Sequence, residues 1–142
     1  MSYSSSRIRW LRILSAALAV IALSFLMLIL TITGYAFALA FQARGTPNQS
    51  AINHFAASVS PKLMPWLEML LTLVLALRVA RRAQTARLMQ GFFVGILVGL
   101  LSLAVTLAYG GRLGLRNLFF FLGVVGLGWL GGFVGQKRTR ET

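Results

Sequence analysis

The chain has 142 residues and a formal net charge of +12, with 58% hydrophobic and only 11% charged residues. A soluble domain carries about a quarter charged residues, so this composition excludes a water-soluble globule, and a mean hydropathy of +0.80 makes the lipid bilayer the expected solvent. The fourteen Lys and Arg gather at the ends of apolar segments, where they read as topology signals. A nucleic-acid partner would need a basic soluble domain, and none is expected. The absence of cysteine removes disulfides, thiolate metal sites and cysteine nucleophiles.

The chain begins with a basic head carrying Arg7, Arg9 and Arg12, with Tyr3 and Trp10 suited to the headgroup level. Residues 13–41 then run without a charge. At about 1.5 Å per residue this first span exceeds a hydrocarbon core of roughly 30 Å and should tilt or protrude. Ala38-Leu39-Ala40 resembles a signal-peptide cleavage site. A signal core is only about 7–15 residues long, however, so an uncleaved span is expected.

Residues 42–63 read as an external loop with Arg44, Gly45, Pro47, His54, Pro61 and Lys62. Within it, residues 50–59 are expected to form one or two turns of interfacial helix on Ile52, Phe55 and Val59. His54 has no second ligand nearby in sequence, and no metal site is expected. The second span covers residues 64–79, with Pro65 in its first turn.

The basic stretch of residues 78–87 ends that span. Arg78, Arg81, Arg82 and Arg87 would each cost about 2.5–3.5 kcal/mol at a helix centre in hydrocarbon, so the chain must leave the membrane here. These arginines are the candidate contacts for anionic lipid headgroups. The turn itself is placed at residues 80–87, with helix continuing toward Arg82. The third span covers residues 88–109, an external loop residues 110–116, and the fourth span residues 117–135. A tail with Lys137, Arg138 and Arg140 follows.

With head, turn and tail on one side, ten Lys/Arg face four in the two opposite loops, a positive-inside bias that places both termini in the cytoplasm. The expected fold is a single all-α domain, an integral membrane four-helix bundle of two hairpins, in a membrane such as the bacterial inner (cytoplasmic) membrane.

Glu68, Glu141 and His54 are the whole inventory of acids and histidine. Paired carboxylates, zinc sites and Ser-His-Asp arrangements cannot be assembled from it, so no catalytic residue, enzyme activity, cofactor or metal is expected. The glycines carry a sharper signal. Gly91, Gly95 and Gly99 recur every four residues, and Gly128, Gly131, Gly132 and Gly135 share another helix face, with Gly123 and Gly126 on a different one. Small residues let helix backbones approach closely. One face is expected to pack inside the bundle and the other against a neighbour, either another membrane-protein subunit or a second copy. Glu68 shares a small-residue stripe with Thr72, Ala76 and Ala80. It reads as a first-turn acid and a candidate intramembrane polar site, with Arg112 and Arg116 as its expected cations.

The motif Gly131-Gly132-Phe133-Val134-Gly135 followed by Lys137-Arg138 resembles the uncharacterised small four-span bacterial membrane proteins, whose last helix is glycine-rich and ends near a basic tail. The resemblance implies a layout and no activity. Small multidrug transporters share the size but carry an essential carboxylate in the first span, and this first span has none. The expected function is that of a non-enzymatic accessory or assembly subunit packing through glycine faces. The alternative is a small homo-oligomeric transporter or channel using Glu68.

Overall fold

A long uncharged run without proline leaves the backbone only its own carbonyls to bond. In the computed structural model it forms one continuous helix, α1 (Trp10–Ala43). Three more follow: α2 (Gln49–Arg82), α3 (Arg87–Ala108) and α4 (Leu115–Lys137). The structure describes residues 10–83, 86–112 and 114–137, without the Lys137 side chain. The head through Arg9 and the tail from Arg138, which enter the charge count, lie outside the described residues. All four helices are long and apolar enough to cross a membrane.

The second helix departs most from the sequence reading. The loop placed at residues 42–63 shrinks to the few residues between α1 and α2, and α2 runs for 34 residues. Asn48 supplies the start that the polar composition concealed, since its side chain accepts from the Ser50 N–H at 3.0 Å. Ile52, Phe55 and Val59, expected to make an isolated turn or two, are instead half-buried on one face of this extension. Phe55 stacks on Tyr35 of α1 with centroids 3.8 Å apart and planes 13° from parallel. Tertiary packing, rather than propensity, carries the helix through this stretch. Glu68 therefore lies in the interior of α2, and the favourable dipole of a first turn is not available to it.

At about 1.5 Å per residue, α1 and α2 are each roughly 50 Å long, and the 22 and 23 residues of α3 and α4 make roughly 33 to 35 Å. The long pair is antiparallel, with Arg12 Nη1 donating to the Arg82 carbonyl at 3.3 Å. Trp10 lies against Phe93 near the start of α3. The extra length of α1 and α2 thus projects beyond the α3–α4 turn, at the end away from the basic turn.

Among the described residues α4 packs on α3 and α2, and α1 packs on the other side of the same two helices without meeting α4. The fully buried residues Ile13, Ala17, Val20, Ala76, Val94, Val98 and Val124 form one core, in the half of the bundle nearer the basic turn.

The glycines set the spacing of α4. A Cβ at Gly91 would lie 2.7 Å from the Gly128 carbonyl oxygen and from Gly132 Cα, and one at Gly95 would lie 2.8 Å from the Val124 carbonyl oxygen. Gly131 and Gly135 meet α2 instead, with a Cβ there 2.9 and 2.7 Å from the Ala76 and Ala80 methyls. Gly99 faces the Phe121 ring, and Gly123 faces the Met69 methyl. The shared face inferred for Gly128, Gly131, Gly132 and Gly135 is thus divided between two neighbours within the chain. Gly123, expected on a different face, also points inward, whereas Gly126 has nothing within 4 Å.

The pair Gly128 and Gly126 gives a direct test. Gly128→Ala puts a methyl against α3 backbone, which cannot move aside cheaply, and overpacking of this kind costs about 1–3 kcal/mol. Gly126→Ala meets open space and gains helix propensity. Thermal unfolding in mild detergent should show a lowered Tm for Gly128→Ala and an unchanged or raised Tm for Gly126→Ala.

Candidate functional site

Two prolines in α2 shape the region around Glu68. Proline has no N–H, so Pro65 leaves the carbonyl of Pro61, four residues back, without its helical partner. Such a carbonyl must find another donor if it is not hydrated. Arg116, in the first turn of α4, donates to it through Nη2. Arg116 was expected beside Glu68, but its guanidinium serves this released carbonyl. The hydrogen bond also sets the height of the α3–α4 turn along α2.

Beneath this contact a cleft of about 930 Å³ opens between α2, α3 and α4. Lys62, Arg112 and Arg116 line it near the α3–α4 turn, while Glu68 and Ser102 line its inner end. Glu68 is 4% exposed. Ser102 lies beside its carboxyl, and Oε2 has no hydrogen-bond partner among the described residues. Arg112 and Arg116 thus share a cleft with Glu68, and neither forms an ion pair with it. The Arg112 carbonyl accepts from the Asn117 side chain at 3.0 Å, which holds the loop over the cleft. Met69, Phe119 and Phe120 supply apolar walls.

The stripe of Glu68, Thr72, Ala76 and Ala80 is buried along its whole length. Thr72 donates its hydroxyl to the Glu68 backbone carbonyl at 2.6 Å, so it stays within its own helix and offers nothing to the carboxyl. Thr106 likewise bonds the Ser102 carbonyl at 2.9 Å. Ser102 lies three residues beyond Gly99 and continues the small-residue face of α3. Its hydroxyl, one of only two on that helix, was the signal that could have paired it with Glu68. Lys62, read as a loop cation, belongs to the cleft because α2 is helical there.

The remaining candidates fall elsewhere. Gly91, Gly95, Gly99, Gly128, Gly132 and Gly135 are helix contacts inside the chain. Arg78, Arg81 and Arg82 are exposed at the far end of α2, and Arg87 is half-buried with its Nε on the Ala83 carbonyl at 2.7 Å. His54 is exposed on the projecting part of α2. Among the described residues no group of His, Cys, Asp or Glu could hold a metal ion.

Comparison with known protein families, curated proteins and solved structures finds no significant match.

The proline–arginine contact predicts a rescue. Arg116→Gln should lower stability by roughly 1 kcal/mol, the usual net worth of a hydrogen bond. In a Pro65→Ala background the residue at 65 supplies an N–H to the Pro61 carbonyl, and Arg116→Gln should then cost little. The four-member cycle of unfolding midpoints measures this. Equal costs in both backgrounds would mean that Arg116 acts elsewhere.

Proposed function

We propose that the chain is a non-enzymatic, multi-pass protein of a bacterial cytoplasmic membrane, with both termini and the 80–87 turn cytoplasmic, and that the Glu68 cleft is its working site. In this reading the protein is a small carrier. Lys62, Arg112 and Arg116 gather a small anion at the mouth of the cleft, and Glu68 holds the proton that travels with it.

The observation that carries the proposal is the unpartnered Oε2 of a 4% exposed carboxyl, at the inner end of a cleft with three cations at its mouth. A purely structural acid would be expected to have found a cation, because a buried charge left unpaired costs several kcal/mol. Ionisable groups held at such depth are functional candidates by default. A proton on Glu68 removes that cost, and an anion drawn in by the mouth gives the protonated carboxyl a hydrogen-bond acceptor.

Vesicles reconstituted with purified protein and loaded with a pH-sensitive dye test this. Imposed gradients of chloride, phosphate or malonate should drive proton movement with at least one of these anions. Glu68→Gln should abolish it while leaving assembly and Tm intact. Arg112→Gln should raise the anion concentration needed for half-maximal flux. If wild-type vesicles move no protons with any of the three, the carrier reading fails.

The accessory-subunit reading then takes its place, and one feature favours it. Because α1 and α4 do not meet, each keeps a long exposed apolar flank, with Leu26, Leu30 and Phe37 on one and Leu122 and Trp129 on the other. Apart from Gly126, the glycines of α3 and α4 are covered from within, so a partner subunit or second copy would dock on those flanks. This reading predicts a fixed larger partner co-purifying in mild detergent.

Orientation has its own test. Single cysteines at Gln49, Thr85 and Thr139 should separate under an impermeant thiol reagent, with only Gln49→Cys labelled in intact cells. Labelling of Thr85→Cys would reverse the orientation.

A further inference from the structure

A second groove lies between α1 and α2, toward the opposite end of the bundle from the Glu68 cleft and with a different chemistry. Both helices line it with residues at spacings of three, four and seven, so each offers one continuous face. From α1 come Arg12, Ser15, Ala16 and Ala19, and from α2 come Leu75, Arg78, Val79 and Arg82. Its volume is about 570 Å³.

The two ends of this groove differ in character. Arg12, Arg78 and Arg82 surround its mouth, near the end of α2. Arg12 is held there by its bond to the Arg82 carbonyl, and Ser15 caps the Arg12 carbonyl at 3.1 Å. Among the described residues the sole carboxylate is that of Glu68, which lines the other cleft. Three arginines from two helices therefore line one groove, with no anion among the described residues to neutralise them. Further in, the small side chains Ala16 and Ala19 leave a slot walled by Leu75 and Val79.

A cationic mouth leading into an apolar slot matches one class of molecule, an anionic lipid with a phosphodiester headgroup and an acyl chain. Snorkelling alone would account for long basic side chains at a helix end. It does not call for a recess of small residues beneath them, or for arginines from two helices lining one groove. Basic pockets between helices are the recurring form of anionic-phospholipid sites, and guanidinium binds phosphate oxygens through two parallel N–H groups.

We infer that the α1–α2 groove is a discrete site for one anionic phospholipid, whose phosphate bridges Arg12 of α1 to Arg78 and Arg82 of α2 while an acyl chain lies along Ala16 and Ala19. The bound lipid ties α1 to α2 at the basic end of the bundle. A headgroup with no net charge leaves the three guanidinium groups uncompensated and is bound less tightly.

Native mass spectrometry of the full chain, stripped of lipid and titrated with phosphatidylglycerol or phosphatidylcholine, tests the site. Wild type should retain one phosphatidylglycerol in preference to phosphatidylcholine. Arg12→Gln and Arg78→Gln should each weaken that retention about fivefold. Arg81→Gln should leave it unchanged, since Arg81, grouped with Arg78 and Arg82 as a headgroup contact on sequence alone, is also exposed but does not line the groove. Glycerol 3-phosphate at the same concentration should not compete, because it has the phosphate without the chain. Unfolding midpoints without lipid confirm that the variants are folded. Equal loss in Arg81→Gln would reduce the site to a diffuse basic surface. Equal retention of phosphatidylcholine, or displacement by glycerol 3-phosphate, would also overturn the proposal.

Discussion

The close approach of α4 to α3 and α2 is the contact on which the rest of the bundle depends. Glycines at 91, 95, 128 and 132 bring backbone against backbone, and Gly131 and Gly135 let Ala76 and Ala80 of α2 nest on the other side. For helices apolar enough to cross a bilayer, where no hydrophobic force would act between them, such contacts gain through dispersion, which falls steeply with distance. A single added methyl would open the whole interface, because the atoms it meets are main chain. Three helices are thereby fixed, and α1 closes the core with Ile13, Ala17 and Val20.

That packing is uneven along the bundle. The glycine contacts and the buried core concentrate near the basic turn, where the helices are closest. Toward the α3–α4 turn the side chains enlarge to Met69, Phe119 and Phe120, and two prolines interrupt the hydrogen bonding of α2. The cleft around Glu68 occupies the region where close packing gives way. Arg116 occupies the one backbone acceptor that Pro65 releases there, and Glu68 Oε2 is left without a partner among the described residues. A departure from full polar satisfaction is expected at a working site and is costly anywhere else.

The two polar recesses divide the charge of the molecule. The Glu68 cleft combines an acid with three cations, an arrangement suited to a proton and a small anion. The groove between α1 and α2 has cations alone above an apolar slot, an arrangement suited to a lipid phosphate with its chain. The two recesses share only α2 and draw on different stretches of it, residues 61–69 for the cleft and 75–82 for the groove.

The sequence by itself determined the number of helices, their type and the position of the basic turn, because each rests on a local property. Uncharged length, the spacing of glycines and the clustering of Arg78, Arg81, Arg82 and Arg87 can all be read without knowing what packs on what. It also singled out Glu68 as the one acid among the apolar helices. Tertiary structure decided what those residues meet. Helix through residues 49–63 depends on Phe55 reaching Tyr35, a contact twenty residues apart in the chain, so polar composition alone suggested a loop. The partner of Arg116 depends on Pro65 freeing a carbonyl in a helix whose course was not known. The division of the α4 glycines between α2 and α3 follows from the placement of three helices together, whereas periodicity fixes only angles around one axis.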